Sequence, residues 1–166
     1  MRKSNFTTRI PRRAFSKGAT LIEILIALLV LSLGVLGMAG LQVRALKGNH
    51  SAMQRTQAVM MSYYILDAMR VDSNTAKSTT YNTGSLSGGV IGPICNPAAI
   101  TGTTLADNNM KHWIESLKTT IGKTGDTSTC GAILCDADGN CHIQVSWDDT
   151  RAGGLGPQII NTHTKL

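Results

Sequence analysis

Aromatic side chains make up only 4% of the 166 residues, so a core must be assembled from aliphatic side chains, Met and Cys. Charge is sparse as well, at 16% of residues against 42% apolar, and mean hydropathy is +0.02. That balance excludes full disorder, a collagen-like repeat and a multi-span membrane protein. It leaves room for one membrane segment, because an average hides where the apolar residues sit. Catalytic signatures are missing too: the chain has no GxSxG, HExxH, P-loop or GxGxxG pattern. Paired CxxC spacing, the usual mark of a zinc site, is also absent. The four His are scattered, and the carboxylates of the C-terminal part cluster in turn-like contexts. These absences read as a chain that is not an enzyme and that uses neither metal nor cofactor.

Acidic residues are missing from the first 18 positions, whereas six of the 16 basic residues lie there: Arg2, Lys3, Arg9, Arg12, Arg13 and Lys17. The remainder carries ten basic and ten acidic side chains, so the net charge of +6 belongs to one short tract. A pI near 9.4 would ordinarily raise nucleic-acid binding. A neutral body without a basic stripe argues against it, and no nucleic-acid partner is expected.

From Ile24 to Val43 run 20 consecutive uncharged residues. About 20 apolar residues at 1.5 Å each span a hydrocarbon core of ~30 Å. The h-region of a cleaved signal peptide is shorter, typically about 7–15 residues. Gly37-Met38-Ala39 offers such a peptide a small-x-small cleavage site, but here the helical pattern continues past the run. Six basic residues precede the span, and Arg44, Lys47 and Arg55 follow more sparsely. The richer flank stays cytoplasmic, so the C-terminal body is expected outside. Glu23 is the only charge between Lys17 and Arg44. An acid in the first turn of a helix gains ~0.3–1 kcal/mol from the macrodipole. At the lip of an apolar span it also calls for a partner, and no base lies on the next turn.

Lys17-Gly18-Ala19-Thr20-Leu21-Ile22-Glu23, followed by the apolar run, resembles the processing signature of type IV prepilins. The resemblance to the type IV pilin superfamily covers about residues 12–43. It implies a basic leader, residues 1–18, cut by prepilin peptidase between Gly18 and Ala19, and N-methylation of Ala19. Glu23 is then the fifth residue of the mature chain; Ala19 stands where the family most often carries Phe. The resemblance also supplies a partner for Glu23. Cleavage creates an α-amino group with an ordinary pKa of about 8, and the Glu of one subunit neutralises the amine of its neighbour. In a low dielectric such a pair is favoured only when both charges meet, so it selects for docking and sets the axial register.

No Pro interrupts residues 19–72, and the pattern predicts one helix through them. Ala45, Ala52, Val59 and Leu66 recur every seven residues, as do Leu46, Met53 and Met60, with Tyr63 and Met69 extending the stripe. This stripe is expected to be buried, with Lys47, Asn49, Gln54, Arg55 and Gln57 on the opposite face. Residues 73–104 are rich in Ser, Thr, Asn, Gly and Pro and read as a loop-rich connection. A second helix is expected from about Asp107 to Ile121, capped by Asp107 or Asn109 and ended by Gly122. Two strands follow as a hairpin, Gly131 to Cys135 and Cys141 to Trp147. The loop between them, Ala137-Asp138-Gly139, places Gly where a left-handed conformation is needed.

Asp136-x-Asp138-Gly139-Asn140 resembles a fragment of a calcium loop, but Trp147 stands where the bidentate Glu would be needed. In an exported chain four Cys read as disulfides rather than zinc ligands. Sequence alone allows three pairings. The hairpin register sets Cys135 opposite Cys141, and elimination leaves Cys95 with Cys130. The expected domains are a leader at 1–18, a long helix at 19–72 with its span near 24–43, and a small α+β domain at 73–166. The expected fold is pilin-like, that helix packed on a small antiparallel sheet. Within the superfamily, LIALLVLSLGVLGMAGLQ, ILDAMRVDS, Trp113-x-x-x-Leu117 and IQVSWDD resemble the minor pilins of the PilV group. That resemblance implies a subunit which joins other minor pilins and the major pilin in a tip complex. Such a complex primes pilus assembly and presents an adhesin, each subunit starting from the inner membrane. The competing readings are a minor pseudopilin of type II secretion and a monomeric membrane-anchored periplasmic binding domain.

Overall fold

The structure is a computed structural model that describes residues 18–154 and 156–166. The fold is α+β: a long N-terminal helix packs on small antiparallel sheets. The chain divides into two units, one up to Gln42 and one from Val43 to Leu166.

Helix α1 spans Leu21–Val71. Its start is set by Thr20, whose hydroxyl oxygen accepts from the Glu23 backbone N–H at 3.3 Å, satisfying a donor the first turn leaves free. With no Pro in its course, nothing breaks the backbone ladder over its 51 residues. In the first unit every described side chain is exposed. Mean hydropathy in its most apolar window reaches 2.6, so the helix is long and apolar enough to cross a membrane.

In the second unit the buried face of α1 is not the apolar heptad stripe. Gln54, Ala58, Ser62, Ile65, Leu66 and Met69 are buried. Of the expected stripe only Leu66 and Met69 are among them; Leu46, Met53, Met60 and Tyr63 stand 52–68% exposed. The helix is turned by about one residue from the expected orientation. The reason is size and hydrogen bonding. Ala58 and Ser62 let neighbouring elements approach closely, and the Ser62 hydroxyl is satisfied by donating to the Ala58 carbonyl at 3.0 Å. Gln54 turns inward because its amide donates to the Ile121 carbonyl at 3.1 Å, serving a group that a helix end leaves unpaired.

The segment read as a loop carries short elements: α2 (Ser73–Lys77), β1 (Leu86–Ser87), β2 (Val90–Ile91) and a 3-10 turn over Pro97–Ala99. Strands β1 and β2 form a two-stranded hairpin. Helix α3 spans Leu105–Thr120. Its N-cap is Thr104, with Asp107 completing a capping box as the third helical residue rather than as the cap itself. At its far end Gly122 has no left-handed role: a Cβ there would collide with the side chains of Thr129 and Asp126. Closeness, not a special φ, explains that glycine.

The main sheet has the order β3-β4-β5, with β3 at Cys130–Cys135, β4 at Asn140–Asp148 and β5 at Pro157–Lys165, all antiparallel. The β3–β4 hairpin has the expected register, Cys135 opposite Cys141, and Gly139 takes φ 84° in its turn. Strand β5 was not anticipated. Its run from Asn161 to Lys165 is polar on both faces, so the alternation that marks a half-buried strand is missing. One sheet face bears Ile133, Cys135, Cys141, Ile143, Val145 and Trp147, and these join Trp113, Ile114, Leu117, Ile65 and Leu66 in the core. The Trp113 indole donates to the Met61 carbonyl of α1 at 2.9 Å, tying α3 to α1.

Candidate functional site

Gly18, Ala19 and Thr20 form an exposed, non-helical lead into α1. A peptidase requires accessible, non-helical chain at its cleavage point, and Gly18 and Ala19 are exposed and outside the helix. The expected leader up to Lys17 lies outside the described residues. Glu23 sits in the first turn of α1, exposed, where the macrodipole favours a negative charge. Among the described residues its carboxylate is not in an ion pair. Thr20 and Glu23 have the spacing of a capping box, but among the described residues only the Thr20 half is formed.

On the second unit α1 carries a line of large exposed apolar side chains: Leu46, Met53, Met60, Tyr63, Tyr64 and Val71. Scattered apolar side chains on a surface are ordinary; a line of them along one helix is not. The heptad spacing that the sequence displays is real, but it describes this outer face.

The globular part is tied covalently. Cys95 bonds Cys130 and Cys135 bonds Cys141, with Cα atoms 4.2 and 4.1 Å apart. The first bridge fastens the 73–104 segment to the start of β3. That segment also covers the β3 edge. The Asn82 side chain exchanges hydrogen bonds with the Cys135 backbone at 2.7 and 3.0 Å, and Ile94 and Gly131 exchange backbone bonds at 2.8 and 3.0 Å. Across the outer sheet face the Gln144 amide donates to the Gly89 carbonyl and accepts from the Ile91 N–H, both at 2.7 Å. The β1–β2 hairpin is thus a lid on the sheet, and Gln144 is buried beneath it. Strand alternation puts Gln144 on the face opposite Ile143 and Val145, and the Gly88-Gly89 turn is where the cover folds back over it.

Asp136, in the calcium-like fragment, is used by the turn itself. It accepts from the Asn140 backbone and side-chain amides, both at 2.8 Å, and the Asn140 side chain is the first reason its carboxyl is held below the usual range. Among the described residues no group of three or more His, Cys, Asp and Glu is placed to hold a metal ion. Among the described residues the one largely buried ion pair, Lys118 with Asp126 at 3.0 Å, anchors the loop before β3. Lys118 also donates to the Asp126 carbonyl at 2.6 Å and the Thr129 carbonyl at 3.3 Å. Every donor of that ammonium has a structural acceptor, so the pair is a clamp rather than reactive chemistry. No family model, curated protein or solved structure matches this chain.

Proposed function

We propose that the chain is a minor pilin of the PilV kind, made as an inner-membrane precursor and assembled at the tip of a type IV pilus. Prepilin peptidase cuts between Gly18 and Ala19, Ala19 is N-methylated, and the apolar half of α1 holds the subunit in the membrane with its C-terminal domain in the periplasm. Glu23 then meets the new amine of a neighbouring subunit. With other minor pilins the subunit primes assembly of the major pilin and supports presentation of a tip adhesin.

The observation that carries this reading is a single helix with two kinds of apolar surface. The Gly18 to Glu23 signature opens a span of 20 uncharged residues. Beyond it the same helix buries Ala58, Ser62, Ile65, Leu66 and Met69 in its own domain and leaves Leu46, Met53 and Met60 outside. A monomeric anchored domain has no use for that outer line, whereas a subunit packed among helices does. Two disulfides also suit an oxidising compartment beyond the inner membrane.

The test has two arms. Mass spectrometry of the mature protein from cells with an active prepilin peptidase should find methylated Ala19 at the N-terminus. Finding the leader intact, or an N-terminus at Gly40, overturns the reading. Glu23→Ala, as the only copy, should leave insertion and cleavage unchanged and reduce incorporation into pili. Normal pilus number in that strain removes the role of Glu23. Loss of protein secretion with intact pili would instead assign the chain to a type II pseudopilus.

A further inference from the structure

His142 on β4 and His163 on β5 are register partners on the outer face of the sheet. Their rings stack with centroids 3.9 Å apart and planes 26° from parallel. The Leu166 N–H bonds to the Gly139 carbonyl at 2.8 Å, which fixes the alternation of bonded and non-bonded pairs along β4 and β5. Counting three residues along places His142 and His163 at a non-hydrogen-bonded pair. Such pairs bring Cα atoms to about 4.5 Å, the narrower of the two antiparallel spacings.

We infer that His142 and His163 form a two-imidazole chelate for a borderline divalent transition metal: Cu²⁺, Ni²⁺ or Zn²⁺. Two nitrogens each about 2.0–2.1 Å from one ion lie roughly 2.9–3.4 Å apart, depending on whether their angle is square or tetrahedral. The register and the 3.9 Å between ring centres put both imidazoles within that reach. Each nitrogen donates in the plane of its ring, so both rings turn about their broad, soft χ2 torsions from the stacked arrangement to an edge-on one when they chelate.

The surroundings suit a borderline cation better than a hard one. All four Cys are in disulfides, so no thiolate competes. The other two histidines, His50 and His112, lie on α1 and α3, away from this sheet face. The charged groups that line the same hollow are Asp136, occupied by Asn140, and Lys165, two residues from His163 on the same face. Asn161 lies 3.4 Å from His142 Nε2 through its side-chain oxygen, a neutral group able to orient that ring. Burial, with His163 second, lowers the His142 pKa, which leaves its lone pair available at neutral pH. Two protein ligands leave the other positions to water or to a group from outside the chain. Metal bound here would cross-link the outer strand β5 to β4.

The full chain in detergent, titrated with Cu²⁺, Ni²⁺ or Zn²⁺ alone, tests this. Cu²⁺ should bind tightest, in the usual order for nitrogen ligands, while Mg²⁺ and Ca²⁺ should not bind. Electron paramagnetic resonance of the Cu²⁺ form should count two imidazole nitrogens. His142→Gln or His163→Gln should each lower affinity at least tenfold, and His50→Gln and His112→Gln should leave it unchanged. Protons compete for the same nitrogens, so affinity should fall as the solution is acidified. Fewer than two imidazoles in the wild-type spectrum, or unchanged affinity in both β-strand variants, overturns the inference. The spectrum of the wild-type chain decides the matter even if a variant fails to fold.

Discussion

Replacing Lys118 with Met probes the clamp between α3 and the loop that leads into β3. The two side chains have similar reach, so the change removes the ammonium and keeps the apolar stem. Lys118 is 5% exposed, and its Nζ serves the Asp126 carbonyl, the Asp126 carboxylate and the Thr129 carbonyl. Breaking a buried pair by removing one partner costs about 3–5 kcal/mol when the remaining charge is left uncompensated. Here Asp126 is not stranded. The Thr129 N–H, the Thr129 hydroxyl and the Lys123 N–H still donate to it at 3.2, 2.8 and 2.9 Å. Its side chain also keeps 16% exposure. Those contacts discount the cost to about 2–3 kcal/mol, most of it from two carbonyls and a carboxylate that lose a donor. For a globular part of this size about 3–5 °C per kcal/mol applies, so the melting temperature should fall by about 6–15 °C. The assay is thermal unfolding of the full chain in detergent, followed by fluorescence of Trp113 and Trp147, both buried. The pH dependence gives an independent check. Burial alone would raise the Asp126 pKa, but bonds from Thr129, Lys118 and the backbone outweigh it and hold the carboxyl below its ordinary range. A depressed folded pKa contributes stability above the unfolded value of about 3.9, and that contribution is lost as pH falls through the folded value. The gap between wild type and Lys118→Met should therefore be widest near neutrality and narrow below about pH 3–4. A loss under about 1 kcal/mol at neutral pH, the scale of a solvated surface pair, would refute the buried clamp.

Three further expectations concern the sheet. Gly131→Ala should cost about 1–3 kcal/mol by overpacking, because its Cβ would stand 2.5 Å from the Trp113 ring and 2.8 Å from Ile114 Cδ1; an unchanged urea midpoint would contradict the α3–β3 contact. Gly139→Ala forces a side chain into φ 84° and within 2.9 Å of Lys77 Cε, and should lose about 1–2 kcal/mol, read as faster amide exchange across the β3–β4 turn. Non-reducing peptide mapping should return Cys95–Cys130 and Cys135–Cys141 only; by loop closure the first, at separation 35, contributes about 4 kcal/mol and the second, at separation 6, about 2 kcal/mol, and a Cys95–Cys141 peptide would contradict the register.

Elements with strong local signals were legible in the sequence. The absence of Pro and the uncharged run marked α1 within two residues at its start and one at its end. Asp138-Gly139 and the alternation after Cys141 marked the β3–β4 hairpin and, through its register, placed Cys135 against Cys141. Elements that depend on tertiary partners were not legible. Strand β5 has Thr162, His163 and Thr164 where a sandwiched strand would alternate, because only its neighbour β4 defines which side is inside. The β1–β2 hairpin has two residues per strand, too few to show any period, and holds its place through the amide of Gln144 some 53 residues away. Gly18, Ala19 and Glu23 were legible as a pattern of spacing, and the chemistry proposed for them lies with an enzyme and a neighbour outside this chain. The facing of His142 and His163 needed the β4–β5 register, which nothing in the local sequence of β5 supplies.

The face of α1 teaches the most about what hydrophobic spacing means. Leu46, Met53 and Met60 repeat with a heptad period, and that period is ordinarily taken as the face a helix turns to its own core. The period reports only that a stripe of the helix is apolar; it does not say which partner covers it. The buried face combines two small residues, Ala58 and Ser62, with Gln54, Ile65, Leu66 and Met69. Ala58 and Ser62 are too small to contribute much area by themselves, yet they are buried, because the sheet and α3 can come close only where the helix surface is low. The Trp113 indole reaching the Met61 carbonyl is a consequence of that approach. Met53 and Met60 stand outside, where a second helix with its own grooves could accept them. The same residue type is buried at Met69, so position on the helix and not size alone decides which methionine the domain covers. Under the proposed function, Met60→Ala should then leave the domain's melting temperature unchanged and weaken assembly, whereas Ala58→Met should do its damage to the fold.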